Sequence, residues 1–599
     1  VADQQPKRRR FQKVKFDSKT ISKRMKRAEG VTTRHAHRFI VRRIDSVRNV
    51  QRHIIGWLFL VGCLIAASGI QLAWFQQSYQ TTAAETGGTY SEGVLGPINT
   101  LNPLYASSDA ELSTARLLFS SLYAYDSTGH LHTDLAKSME VDATGKIYTI
   151  ALRGHTKWDD GKPLTAKDVA FTINLIKNSE ARATPSLQAT WQDVSVKALD
   201  DTTVQFTLPA VYAAFPYALT FSVLPEHILG PIAPGAIREN TFSRAPVGSG
   251  PFMFNLLQSV DTKTDKKVVQ LSVSPTYYGG EARLHRFEIH TYTSQEVIVK
   301  ALKAGEVNAA EVLPSLSKNI DRGSYSVTTQ PLDSGVYALF NINKPILKDV
   351  QVRRALQLVT NTVALRKQLN VGVPALDLPF VNGQVTGSDV PHAPSPDTKK
   401  AAELLDAAGW KLVGHTRQNG EQKLALTITT TKDNQYEKVA NALASQWKAI
   451  GVDVKINVID TTNPSVNFVE NTLQPRNYDV LLYELLIGAD PDVYAYWHSS
   501  QIGMNGYNFS NYVDQSADTA LASARSRLEP QLRNEKYKAF ARQWLSDVPA
   551  IGLYQSVATY AVNIHAQSVD PTMKLVSPTD RYANILEWSV QQKSVYKTP

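Results

Sequence analysis

The stretch IIGWLFLVGCLIAASGIQLAWF, residues 54–75, constrains this chain more than any other. It carries no charge, and Gln71 is its one strongly polar member. As a helix it rises roughly 33 Å, enough to cross the hydrocarbon core of a bilayer. A core helix of that length in a soluble protein would show a polar stripe, and this one barely does. Trp57 stands near one end and Trp74 and Phe75 near the other, where amphipathic rings favour the membrane interface. Residues 54–75 therefore predict one transmembrane helix and a lipid bilayer as a partner.

The stretch also divides the charge. Residues 1–53 hold 17 Lys and Arg against 4 Asp and Glu, a net of +13. The whole chain is +10, so residues 54–599 sum to −3. Flanking cations hold a membrane end on the inner side. This predicts a basic cytoplasmic tail over 1–53 and a single-pass protein whose body is extracytoplasmic. A soluble nucleic-acid-binding protein keeps its positive charge on the folded body, so no nucleic-acid partner is expected. Within the tail, Ile40, Ile44, Val47 and Ile54 share a helical face beside Arg42, Arg43 and Arg48. Residues 34–53 read equally as a basic amphipathic helix on the inner leaflet or as a solvated run that fixes topology. Cys63 is the sole cysteine, so the body holds no internal disulfide. Leu60-Val61-Gly62-Cys63 resembles a lipoprotein cleavage box, but 53 residues precede the apolar run and twelve mostly apolar ones follow the cysteine. An uncleaved anchor is the better reading. Residues 76–88, QQSYQTTAAETGG, read as a polar linker.

The remainder is too long for one core and predicts two or three domains. Its elements mix. Alternation marks strands over 89–94 and 148–152, and apolar spacing marks a helix over 109–122. Asp160-Gly161 is a turn, and Thr165 caps a helix over 166–177. Asp397 caps another over 398–408, which Gly409 ends. A strand over 424–430, a helix over 434–449 and a strand over 452–458 have the spacing of a βαβ unit with parallel strands. A strand over 479–484, a helix over 529–547 and a strand over 550–554 follow.

Several motifs then agree in order. Trp158, Asp160, Gly161, Pro163, Thr165, Ala166, Asp168, Val169 and Phe171 form W-x-D-G-x-P-x-T-A-x-D-V-x-F. Pro246-Val247-Gly248-Ser249-Gly250-Pro251-Phe252 follows, then ALKAGEVNAAEV over 301–312, with Asn308 in place of an Asp. Phe340-Asn341 precedes Asp349-Val350-Gln351-Val352-Arg353-Arg354-Ala355, and 397–410 ends in Ala-Gly-Trp. Together they resemble the family 5 extracellular solute-binding proteins, the dipeptide, oligopeptide and nickel receptors of ABC importers. The resemblance spans roughly residues 88–590. It implies an α/β, bilobal, hinged periplasmic-binding-protein-like fold (type II, with an extra subdomain). Lobe 1 would take residues 89–295, with the extra subdomain at about 126–200. Lobe 2 would take 296–555, and 556–599 would return to lobe 1. Two crossings make a hinge, so closure around a ligand is expected. The motif residues themselves read as architecture. Arg353 and Arg354 read as structurally paired or solvated rather than as a carboxylate clamp.

Ligands of α/β sheets lie beyond the carboxyl ends of strands. The strand near 484 leads to Leu486, Ile487, Gly488, Ala489 and Asp490. In peptide-binding members an Asp at the position matching Asp490 pairs with the ligand's ammonium, a charge-assisted bond. The same Asp followed by Pro491 also reads as a helix N-cap. The backbone of Leu486, Ile487 and Gly488 is a candidate for pairing with an extended peptide. Trp497 would wall a side-chain pocket, and His498 reads as structural or as a polar pocket residue. A lone His is weak evidence for metal. Tyr483, Asn505, Tyr507 and Asn102 are further cleft candidates. No HExxH, P-loop or G-x-S-x-G occurs, so no enzyme and no cofactor are expected. The reading is an anchored receptor that binds short peptides and delivers them to an ABC importer permease. The alternatives are the same fold with a nickel chelate, haem or oligosaccharide, or a sensor or docking protein acting through its basic tail.

Overall fold

The structure, a computed structural model, describes residues 44–596 apart from 262–264, 370–371 and 462–465. The basic tail before residue 44, with the first half of the amphipathic stretch, lies outside the described residues. The chain forms two compact units, one running to Ala83 with the closing residues from Ser594, the other Ala84–Lys593.

The first unit is built on α1 (Ile44–Tyr79). Within it His53–Phe75 is long and apolar enough to cross a membrane. Trp57, Phe59, Ile65 and Ile70 are each 68–72% exposed. A contiguous apolar surface of this kind is not stable in water and marks a lipid or protein contact. The stretch 76–88, expected as a polar linker, holds regular structure over much of its length. No Gly or Pro follows Phe75 until Gly87, so the helix runs on to Tyr79, and Gln80–Glu85 is a strand favoured by its paired β-branched threonines.

The second unit is organised by a ten-stranded mixed sheet. In chain order its strands are β1 (Thr89–Leu95), β2 (Phe252–Asp261), β3 (Lys266–Val273), β4 (Arg286–Tyr292), β5 (Ala309–Glu311), β6 (Tyr325–Phe340), β7 (Ala425–Thr431), β8 (Asp453–Ile459), β9 (Val480–Leu486) and β10 (Ala550–Asn563). Their spatial order is β8-β7-β9-β6-β10-β5-β1-β4-β3-β2. β1 lies parallel to β4 and β5, and β7 parallel to β8. The long strands β6 and β10 pair antiparallel at its centre. A separate four-stranded sheet, formed by Ala136–Val141, Ile147–Leu152, Ser195–Ala198 and Thr203–Thr207, carries α3 (Ala166–Lys177) and builds the extra subdomain.

The two lobes are two sets of cores on that one sheet. β6 shows how the alternation of a strand makes them. Val336, Ala338 and Phe340 enter a core with Val480, Leu482 and Trp447, while Tyr337 and Leu339 enter one with Leu481, Leu485 and Trp544 on the other face. Both belong to lobe 2. Leu332 near the middle of β6, and Ala558, Tyr560 and Val562 on β10, belong instead to the lobe 1 core. The strands cross between lobes where their register breaks, between Pro331 and Gly335. The start of lobe 2 expected at 296 lies ahead of this break in the chain. Residues from Gln295 to about 331 pack with β1 and the far half of β10, because α4 (Gln295–Lys303), β5 and Tyr325 share a core with Tyr292 and Ala561. The closing run returns to lobe 1 through Arg581 and Tyr582, which both hydrogen-bond the buried Glu92 carboxylate at 2.8 Å.

The motifs prove architectural. Thr165 caps α3 with Asp168 completing a capping box. The unassigned position of the first motif, Asp159, joins it to the second. Its amide donates to the Gly248 carbonyl at 2.9 Å, and its carboxylate accepts from the Gly248 amide at 3.1 Å and from Ser274 Oγ at 2.6 Å. Gly248 is required by close approach rather than by a turn. A Cβ there would stand 2.1 Å from the Leu118 carbonyl oxygen, at the end of α2 (Asp109–Leu118). Arg353 and Arg354 lie on α5 (Val350–Val359) and bond backbone carbonyls, Arg353 reaching those of Leu347, Lys348, Asp547 and Val548.

Candidate functional site

Beyond the end of β9 the chain turns through Ile487 and Gly488, the latter at φ +80°, where glycine is favoured. Both amides donate to the Asp333 carbonyl, at 3.0 and 2.9 Å, and Gln384 Nε2 donates to the Gly488 carbonyl. The turn opens on a cleft of about 840 Å³. Lobe 1 supplies Thr128, His130, Tyr217 and Lys574 to its walls, and lobe 2 supplies Gln384, Asp490, Arg533 and Tyr537. Asp333, at the strand crossing, lies between them.

Asp490 faces Arg533, which projects from the first turn of α9 (Pro530–Asp547). The guanidinium donates to both carboxylate oxygens, at 2.7 and 2.8 Å, and to the Tyr537 hydroxyl at 3.1 Å. Both side chains are largely enclosed. Burial alone would lower the Arg533 pKa, but the Asp490 carboxylate outweighs it and holds it above the usual value. Next to this pair, Asp492 is held above the usual carboxylate range by burial, only partly offset by Arg525 at 3.4 Å.

Asp333 is different. Its backbone is fixed by the two turn amides and by its own amide, which donates to the Val576 carbonyl at 3.3 Å. Its carboxyl is pushed up to about 6, first by burial and then by Asp580, with Lys574 opposing. Nothing local in the sequence marks it. Arg533 was equally silent, because its partner is 43 positions away on another element.

The expected site residues divide. Asp490 and Gly488 stand at the cleft, Asp490 in its lining. Asp490 does not cap a helix, since the next one is the short Tyr494–Trp497 with Val493 as its N-cap. The amides of Ile487 and Gly488 are already bonded to Asp333, and the Leu486 carbonyl to the Tyr496 hydroxyl, so they are not open for strand addition. The Leu486 side chain is exposed. Trp497 is corrected from cleft wall to core. It is 1% exposed and lies edge-on to Tyr337 and Trp544 at 6.1 and 5.5 Å. His498 stacks on Tyr494 at 4.0 Å and caps a following turn by accepting from the Ser500 amide at 3.0 Å. Burial lowers its pKa, with Asp518 opposing. Tyr483 is half-buried between Phe468 and Phe509, Asn505 is exposed, and Tyr507 lies edge-on to Phe509. Asn102 is fully buried. It accepts from the Leu104 amide at 3.0 Å and holds the turn of its own loop, so it is no cleft residue.

Known proteins agree with this architecture. The profile of the bacterial extracellular solute-binding proteins, family 5 (middle), matches residues 130–506. The oligopeptide-binding protein AppA of Bacillus subtilis is 27% identical over 486 residues, 78% of this chain and 86% of AppA. Its structure in complex with a nonapeptide matches with a TM-score of 0.69 and 25% identity, over 85% of this chain and 100% of that one. NikZ from Campylobacter jejuni in complex with Ni(L-His) matches with a TM-score of 0.71 and 25% identity, over 84% of this chain and 99% of that one. With well over half its length matched by the family profile, and two lobes joined by crossing strands around a cleft, the chain belongs to the bacterial extracellular solute-binding proteins, family 5, and is a binding protein rather than an enzyme.

Proposed function

We propose that this chain is the receptor of a peptide-class ABC importer, which captures short peptides non-covalently in the cleft and passes them to a permease. The observation that carries this reading is the cleft itself. It is about 840 Å³ in size, lies between two lobes joined by strand crossings, and is lined by carboxylate, ammonium and amide groups suited to a peptide's ends and backbone. The likeness to AppA, whose solved structure holds a nonapeptide, supports peptides as the cargo. Helix α1 anchors the protein, with residues 1–53 cytoplasmic and the body outside. The exposed apolar surface of His53–Phe75 supports the anchor, and the basic residues before it support the orientation. Anchoring holds the receptor near its permease and raises its effective concentration there.

The test is mass spectrometry of what the full chain, purified in detergent, releases on denaturation. A ladder of short peptides supports the reading. Nickel, haem or a sugar keeps the fold and changes the cargo. An empty protein that also ignores a random peptide library overturns the importer reading in favour of a sensor or docking role. Protease treatment of intact cells tests the topology, since the body should be cut and the tail protected.

A further inference from the structure

Three carboxylates line the cleft among the described residues: Asp333, Asp490 and Glu535. Two have a cation already. Asp490 is gripped by Arg533 at 2.7 and 2.8 Å, and Glu535 is 2.7 Å from the Lys538 ammonium. Asp333 has no cation within 4.0 Å and no hydrogen bond to its carboxylate among the described residues. Lys574 shares the cleft but stands too far off to pair with it.

The asymmetry decides where a ligand's positive charge settles. For Asp490 to accept an ammonium it must release Arg533 and leave a largely enclosed guanidinium without a partner. Breaking such a pair costs several kcal/mol. Asp333 has nothing to release. Burial has already taken part of its water, offset only by the more distant Lys574, so a cation arriving there gains a charge-assisted bond. Its position is also fixed in advance. Three backbone hydrogen bonds hold the residue at the register break, where an irregular strand re-aims a side chain. The carboxylate thus stands at the crossing between lobes, where closure brings both walls onto the ligand.

We infer that Asp333, rather than Asp490, receives the ammonium group of a peptide ligand, and that the Asp490–Arg533 pair is a fixed part of the cleft wall. The inference rests on the peptide reading above.

The test uses the full chain in detergent and two probes, a random octapeptide library with free amino termini and the same library N-acetylated. Binding is followed by calorimetry on fractions retained by the wild type. The expected result is a preference for free amines of about tenfold or more, the scale of a charged hydrogen bond. The preference should disappear in Asp333→Asn and return in part in Asp333→Glu. Asp333→Ala gives the same reading if the amide variant fails to fold. A preference that survives in Asp333→Asn but is lost in Asp490→Asn overturns the assignment. Equal wild-type affinity for both libraries overturns it while leaving the peptide reading intact. No binding of either library overturns both.

Discussion

The guanidinium of Arg525 lies 4.4 Å from the ring centroid of Tyr212 and 4.5 Å from that of Tyr494. Tyr212 packs against the lobe 1 core, and Arg525 ends α8 (Gln515–Arg525) in lobe 2. The Ala213 amide also donates to the Arg525 carbonyl at 2.9 Å, so the two lobes are bridged beside the cleft by a cation between two rings and one backbone bond. Such a contact helps set how far the lobes favour closure.

Tyr212→Ala removes the lobe 1 ring and leaves the Arg525–Asp492 pair in place. Loss of one such contact, about 0.5–2 kcal/mol, should weaken ligand affinity several-fold and raise the radius of gyration of the unliganded protein in small-angle scattering. Arg525→Ala should act differently. It strands the enclosed Asp492 carboxylate, already held up by burial, and should lower the melting temperature as well. Equal melting temperatures for the two variants would contradict this division.

Removing one partner of the Asp490–Arg533 pair should be costly for the same reason. Arg533→Ala is expected to destabilise the protein by about 3–5 kcal/mol, read by denaturant unfolding. The double variant Asp490→Ala/Arg533→Ala should recover part of that loss, because no buried charge is left alone. A double variant less stable than either single one would show that the pair does not act as a unit.

Much of this architecture is legible in the sequence wherever the signal is local. Thr165 and Asp168, three residues apart, announce the start of α3, and the helix begins there. The parallel β7–β8 pair with α7 (Asn434–Lys448) between them follows the same periodicity in sequence and structure. The crossings are another matter. The strand expected over 550–554 runs on as β10 to Asn563; it reads short in the sequence because polar Gln555 and Ser556 interrupt the apolar pattern where the chain passes between lobes. Core alternation stops at a hinge, so the hinge reads as a strand end. The site is less legible still. Trp497 and Asn102 look like binding residues by type, yet burial makes one core and the other a turn, while Asp333 and Arg533 gain their meaning from contacts far apart in the chain.

Asp333 gives the cleft a pH dependence with two opposite readouts. Its unliganded carboxyl is raised to about 6. An ammonium ligand binds the ionised form, so affinity for free-amine peptides should fall as pH drops through 6, approaching tenfold per unit below it. Stability of the unliganded protein runs the other way. A raised pKa means the folded state holds the proton more tightly, a contribution complete below the unfolded value near 3.9 and lost as pH rises through 6. Asp333→Asn should therefore melt higher than the wild type at pH 7–8 and show a flatter affinity profile. Asp580 and Lys574 face the group, and His130, Asp490, Arg533 and Glu535 stand around the same cleft. A profile that stays steep in Asp333→Asn would assign the titration to one of these.

The clasp between Asp159 and Gly248 should be intolerant of a single methyl. A Cβ on Gly248 would stand 2.1 Å from the Leu118 carbonyl oxygen and 3.1 Å from the Asp159 carboxylate. The Leu118 oxygen cannot retreat, because it already accepts the amides of Ser249 and Gly250, both at 2.9 Å. Gly248→Ala must therefore break these bonds or shift the end of α2, and overpacking of this kind costs about 1–3 kcal/mol or more. None of the clasp residues lines the cleft, so the loss should appear in the melting temperature while peptide affinity of the folded fraction is kept. Ser249→Ala should be milder, since it gives up one bond, from the Ser120 amide to the Ser249 Oγ, without adding bulk against a carbonyl. A Gly248→Ala protein as stable as the wild type would mean that the glycine serves the turn alone and that the close approach to α2 is not what fixes it.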